Sequence, residues 1–213
     1  MDLQIDLRLA ELLASRLCHD VVGPIGAVNN GMELLNDGEL DMADDALKLA
    51  SQSAQQASDL LQYYRMAYGL AGHRQGGDLK PMHDLAVRFF SHQKSSLDWS
   101  ASAMPTGLPD SAGKLILNML LLAGEALPRG GTVGVLFAEH EGAHEISVVA
   151  VGADAGLREE TQAGLADDVA TAELTPRSVQ PYFTKRLARA MDGRLEVEAP
   201  SPGHIRLTAR LPA

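Results

Sequence analysis

The residues best suited to chemistry are Cys18-His19-Asp20-Val21-Val22-Gly23-Pro24-Ile25. A neutral imidazole is a good nucleophile near pH 7, and an adjacent carboxylate can orient it or take its proton. His19 and Asp20 are therefore candidate catalytic residues. Apolar residues recur around them at Val21, Ile25, Val28, Met32 and Leu35. At 100° per residue these fall within a sector of about 80°, the narrow seam of a helix bundle. His19 projects away from that seam and shares its own face with Arg16, Gly23, Gly26 and Asn30, the candidate partner-binding residues. Two glycines inside a helix cost roughly 1 kcal/mol each relative to alanine. Here they leave bare backbone beside an exposed imidazole, as docking of a second protein requires. Pro24 cannot donate to the carbonyl of Asp20 and should kink or loosen the turn that carries His19. A solvated surface histidine beside a helix kink is the alternative reading.

The elements that must position this face are legible in the pattern. A helix is expected over 7–36, then a turn at Asn36-Asp37-Gly38-Glu39, then a second helix over 41–69. In the second helix Ala43, Ala50, Ala57 and Tyr64 recur every seven residues, as do Leu47, Ala54, Leu61 and Tyr68. Two long helices joined by a short turn pack antiparallel. Alanines allow close approach but bury little area, so the pair would expose much of its seam. Dimerisation into a four-helix bundle would cover it; a second domain lying over the seam is the alternative.

Gly69 to Asp78 reads as a connector between units at 1–72 and 78–213. Beyond it we expect helices at 80–93, 110–127, 157–168 and 176–191. Strands are expected at 96–103, 131–139, 144–152, 194–199 and 204–211. The Glu141-Gly142 turn and Pro200-Ser201-Pro202-Gly203 separate paired strands. The expected class is α+β: an N-terminal helical hairpin in a dimeric four-helix bundle, then an α/β sandwich of one largely antiparallel sheet covered by helices.

The composition of the 213 residues, 46% apolar and 22% charged, fits a folded soluble protein. The net charge is −10, which disfavours nucleic acid and anionic membrane as partners. Residues 1–78 hold 12 acids and 5 bases (−7), leaving 16 acids and 13 bases (−3) for the rest. One cysteine fits a reducing compartment. Met1 to Asp6 is acidic where a signal peptide is basic, and the apolar stretch Leu115–Ala123 is interrupted by Asn118 and too short to span a membrane. A cytoplasmic location is expected.

His19, Asp20, Pro24 and Ile25 in their helix-turn-helix context resemble the H-box of histidine kinases, whose histidine accepts a phosphoryl group on the first helix of a dimeric bundle. The order of elements after residue 79 is similar to the ATP-binding domain of those enzymes, with Lys114 to Ala123 as the N-box helix. Three departures stand out. Leu122 occupies the place of the second N-box asparagine, which holds Mg²⁺. The adenine loop is at best Asp154-Ala155-Gly156-Leu157-Arg158, without its second glycine, and Leu174-Thr175-Pro176-Arg177-Ser178 holds no glycine to cradle phosphates. Gly23 stands where phosphatase-competent kinases carry Thr or Asn, so strong phosphatase activity is not expected either. This combination resembles the ChpT type of histidine phosphotransferase of alphaproteobacterial phosphorelays. The likeness includes Leu17-Cys18-His19-Asp20, Leu60-Leu61-Gln62-Tyr63-Tyr64-Arg65, Leu97-Asp98-Trp99 and Leu127-Pro128-Arg129-Gly130-Gly131. It implies a homodimer that passes phosphoryl groups between the aspartates of response-regulator receiver domains through phospho-His19, without ATP-dependent autophosphorylation. The chain itself would bind no cofactor; the Mg²⁺ would sit in the receiver. A kinase with a divergent ATP site and a receiver-binding module without chemistry are the alternatives.

Receivers are acidic at their phosphorylation site, so an acidic protein needs local cations to meet one. Arg16, Arg158 and the run Arg177, Lys185, Arg186, Arg189 and Arg194 are the candidates. Pairing of Arg16 with Asp20, and a solvated helix face for the run, are the plainer readings. His140-Glu141-Gly142-Ala143-His144 places two histidines in a turn, which does not fix metal-ligand geometry. Cys18 reads as a small packing residue.

Overall fold

The computed structural model describes residues 7–36, 42–70, 78–100, 104–105, 107–140 and 142–212. The expected turn at 37–39, most of the connector at 71–77, the N-terminal residues 1–6 and Glu141 lie outside them. Helix α1 runs Leu7–Asn36 with Pro24 inside it, and α2 runs Ala43–Ala67. Asp44 and Asp45 in the first turn of α2 and Arg65 in its last complement the helix dipole. The two helices are antiparallel: Gly31 lies against Ala46 and Ala50, while Asp20 meets Tyr64 at the other end. A methyl on Gly31 would come within 2.8 Å of the Ala46 carbonyl oxygen, so this glycine sets how closely the helices approach.

The two heptad columns of α2 have different fates. Ala50, Ala57 and Tyr64 are buried against α1, whereas Leu47, Ala54 and Leu61 are exposed. On α1 the side chains of Ile25 and Met32 remain 45% and 48% exposed. Within one chain the hairpin buries only half of its apolar seam.

The rest of the chain forms α3 (Lys80–Phe90), β1 (Ser95–Asp98), α4 (Ala112–Glu125), β2 (Gly131–His140), β3 (Ala143–Val151), α5 (Glu159–Leu165), a 3-10 turn at Thr171–Glu173, α6 (Val179–Arg189), β4 (Arg194–Ser201) and β5 (His204–Pro212). The sheet order is β1-β2-β3-β5-β4, with β1 and β2 parallel and the other pairs antiparallel. This is the α+β class expected, with a mixed sheet. Two expectations need correction. The strand expected at 96–103 ends at Asp98, because Trp99 turns into the core and the His83 ring lies 3.1 Å from its carbonyl oxygen; residues 101–103 are outside the described set. The helix expected from 176 starts at Val179, because Thr175 and Ser178 close a turn on each other through two backbone-to-side-chain bonds of 2.9 and 3.2 Å.

Every residue of α4 from Ala112 to Ala123 is buried. A helix buried on all sides belongs in the middle of a protein, and α4 packs against the sheet, α3, α6 and the end of α2. One core accordingly contains Tyr63, Tyr64, Met66 and Ala67 of α2 together with the α4 and sheet residues. Polar bonds lock the joint. Tyr63 Oη donates to Leu117 O at 2.7 Å, and Lys114 Nζ donates to the carbonyls of Tyr68 and Gly69 at 3.2 and 3.1 Å. These two carbonyls lie just past the end of α2 and would otherwise lack helical partners.

Candidate functional site

His19 sits in the middle of α1 with its side chain 88% exposed. Its Nδ1 lies 3.1 Å from Asp20 Oδ1. The carboxylate is in turn held from below: Tyr64 Oη, on α2, donates to Asp20 Oδ2 at 2.5 Å. Burial pushes the Tyr64 hydroxyl far above its ordinary range, with Tyr68 and Asp20 adding to the rise, so it stays protonated and donates. Tyr68 stacks on Tyr64 with ring centroids 5.1 Å apart, and burial carries its hydroxyl up to about 12 against the pull of Arg16.

Arg16 lies one turn before Asp20, with Nε 3.9 Å from Oδ2, and its Nη2 pairs with Glu125 at the end of α4. Its side chain is only 11% exposed. Arg16 is thus engaged within the chain, by Glu125 and Asp20, as in the plainer of its two readings. Most of the basic run is matched locally too. Arg177 pairs with Glu160 at 3.1 Å, Lys185 and Arg189 with Asp167 at 2.8 and 2.5 Å, and Arg194 with Glu196 at 3.1 Å. Arg158 stands exposed at the start of α5 and has no ion pair among the described residues.

A cleft of about 610 Å³ opens beside His19, between the hairpin and the sheet-bearing part. Arg16, His19, Asp20, Gly23 and Arg158 all line it. The structure thus brings together five of the seven residues singled out from the sequence. Gly26 and Asn30 lie further along the same helix and do not line the cleft. Added methyls on Gly23 and Gly26 would meet nothing within 4 Å, so this face is open. Cys18 is exposed rather than packed. Sequence reasoning missed Tyr64 and Glu125 as site residues; Tyr64 lies in the heptad column that faces α1, which was the available signal.

The kinase-like features are placed as follows. Asn118 and Leu122 are wholly buried. The Asn118 amide donates to Ala67 O at 2.7 Å and Lys114 O at 2.9 Å, and its backbone carbonyl accepts from Gln180 on α6 at 2.9 Å. Asp154 pairs with Arg129 at 3.0 Å. No group of three or more His, Cys, Asp or Glu among the described residues could hold a metal ion, and His140 lies 3.7 Å from Glu145 instead.

Residues 80–203 match the family model of the histidine phosphotransferase C-terminal domain. The chain belongs to the histidine phosphotransferase family. Over 199 residues it is 34% identical to the protein phosphotransferase ChpT of Brucella abortus (strain 2308), covering 91% of each chain. It also superposes on the 1.7 Å structure of a bacterial phosphotransferase with a TM-score of 0.83, at 32% identity and over 98% of each chain. This histidine phosphotransferase is thus a transferase of the phosphorelay type, and the family likeness extends through the hairpin as well as the sheet-bearing part. Among the described residues of the phosphotransferase no helix is long and apolar enough to cross a membrane.

Proposed function

We propose that this phosphotransferase shuttles a phosphoryl group between receiver aspartates through His19. The observation that carries the reading is the exposed His19 ring with Asp20 at its Nδ1, so that a ring proton held on Nδ1 leaves the lone pair of Nε2 free for attack. Nε2 attacks the phosphorus of a receiver's aspartyl phosphate; the N–P bond forms as the P–O bond breaks, and the receiver carboxylate leaves. The Nδ1 proton stays on the ring, hydrogen-bonded to Asp20. The second half-reaction is the reverse, with the carboxylate of another receiver attacking phospho-His19. The Mg²⁺ that neutralises the transferring charge belongs to the receiver. Arg158, exposed at the rim of the same cleft and without an ion pair among the described residues, is the cation that we assign to meet the receiver or the phosphoryl oxygens.

No step uses ATP in this scheme. Burial of Asn118 and Leu122 supports that, since neither can reach a nucleotide without opening the core. The half-exposed seam of Ile25, Met32, Leu47 and Leu61 supports a homodimer through a four-helix bundle. Work on receiver domains belongs in the cytoplasm.

The test is transfer of label from a phosphorylated receiver. Wild-type protein should become labelled, and His19→Ala should not; label retained by His19→Ala would end the proposal. Labelled ATP alone should leave the protein unlabelled, and acid-labile label from ATP would favour a kinase.

A further inference from the structure

We propose that Tyr64 is a positioning residue for phosphotransfer, acting through Asp20 to hold His19 with its ring proton on Nδ1. The proposal rests on His19 as the phosphoacceptor and adds what makes it competent. A free imidazole places its proton on either nitrogen and favours Nε2, which would block the exposed attacking atom. A carboxylate facing Nδ1 reverses that preference.

Asp20 has two competing claims on it. His19 Nδ1 lies 3.1 Å from Oδ1, and the Arg16 guanidinium, Nε 3.9 Å from Oδ2, draws the carboxylate the other way. Two contacts decide the competition. Glu125, reaching across from α4, takes up the Arg16 charge through Nη2. Tyr64 occupies Oδ2 with a short bond that fixes the carboxylate's rotation, and so aims Oδ1 at the imidazole. Tyr64 is buried, its ring is clamped by Tyr68 at 5.1 Å and Tyr63 at 6.4 Å, and its hydroxyl donates to Asp20. A buried hydroxyl with one charged acceptor is rigid, and the position it defines is passed to the exposed ring. Tyr64 touches neither the phosphoryl group nor Nε2, so it positions rather than catalyses.

The experiment combines long-range ¹⁵N–¹H correlation of the His19 imidazole with transfer rates from a phosphorylated receiver, on the full chain. Wild-type protein should show the Nδ1–H form of neutral His19; a dominant Nε2–H form would overturn the proposal without any variant. Tyr64→Phe keeps the ring and its packing. It should move His19 toward a mixture of tautomers and slow transfer roughly ten- to hundredfold. In an Asp20→Ala background the same change should add nothing, because the two residues act as one unit. Wild-type transfer by Tyr64→Phe overturns the proposal, and so does slowed transfer with the Nδ1–H form retained, which would mean a packing effect. Label retained by His19→Ala would instead remove the phosphoacceptor reading itself, so the two failures are distinct.

Discussion

Asn118, in the middle of α4, donates from Nδ2 to the carbonyl of Ala67 at the end of α2, 2.7 Å away. Asn118 thereby serves as a joint between the hairpin that carries His19 and the part that carries the sheet. Because the side chain is wholly buried, its loss leaves a helix-terminal carbonyl without a partner and out of reach of water. Asn118→Leu should lower stability by about 1–3 kcal/mol, read as the thermal or urea midpoint. Labelling by ATP should be absent before and after the change. An unchanged midpoint would show that the joint does not depend on this bond.

Two glycines of α1 should respond in opposite ways. At Gly31 a methyl meets the Ala46 carbonyl oxygen at 2.8 Å and Ala50 at 3.0 Å, so Gly31→Ala must part the two helices. It should destabilise by about 1–3 kcal/mol, the usual cost of overpacking. At Gly23 a methyl meets nothing within 4 Å. Gly23→Ala should raise stability by about 0.5–1 kcal/mol through helix propensity. It should nevertheless slow transfer, because the added methyl stands beside His19 on the face where we propose that a receiver docks. Denaturation curves and transfer rates on the same preparations separate the two effects. A stabilised Gly23→Ala with wild-type transfer would show that the receiver does not approach there.

The helices, most strands and the exposed placement of His19 were legible because each follows from a local pattern: a 3.6-residue apolar period, alternation, or a turn residue at a fixed offset. The partners of Asp20 and Arg16 were not, because they come from far along the chain: Tyr64 lies 44 positions beyond Asp20, and Glu125 lies 109 beyond Arg16. Knowing that Tyr64 faces α1 did not give the register of the two helices, which Gly31 sets by its approach to Ala46. Arg16 stood between two readings for the same reason. Its spacing from Asp20 is visible in the sequence, but the acid that takes up its charge is on α4. The use of Asn118 at the end of α2 was likewise hidden, since its likeness to the first asparagine of an N-box says nothing of which backbone lies against it.

The exposed half of the hairpin seam yields a prediction about assembly. Ile25 is 45% exposed in the single chain, so a charge there is hydrated and the hairpin keeps its fold. In a four-helix dimer the same charge would be buried without a partner, a penalty of several kcal/mol. Ile25→Glu should therefore be a folded monomer in light scattering at concentrations where wild type is a dimer, with unchanged helix content. A dimeric Ile25→Glu would place the interface elsewhere, and a monomeric wild type would remove the dimer altogether.

Acid stability should depend on Asp59. This carboxylate is buried on α2 where α3 crosses it: Oδ2 lies 3.0 Å from His92 Nε2 and accepts from Gln55 Nε2 at 3.1 Å, and Arg88 Nε lies 3.5 Å from Oδ1. Burial pushes its pKa up, but the bonds from His92 and Gln55 and the charges of His92 and Arg88 outweigh that, and the net value falls below 3.8. A carboxyl whose folded pKa is depressed contributes stability that is present above the unfolded value and lost as pH falls through the folded one. Between those two values the unfolded chain binds more protons, so stability must drop on acidification. The thermal midpoint of wild type should thus fall steeply below about pH 4, the ordinary aspartate value. Asp59→Asn, which cannot titrate, should start lower at pH 7 and decline less steeply through the same window. Parallel curves for the two proteins would show that the pairing of Asp59 with His92 and Arg88 contributes nothing to holding α3 on the hairpin.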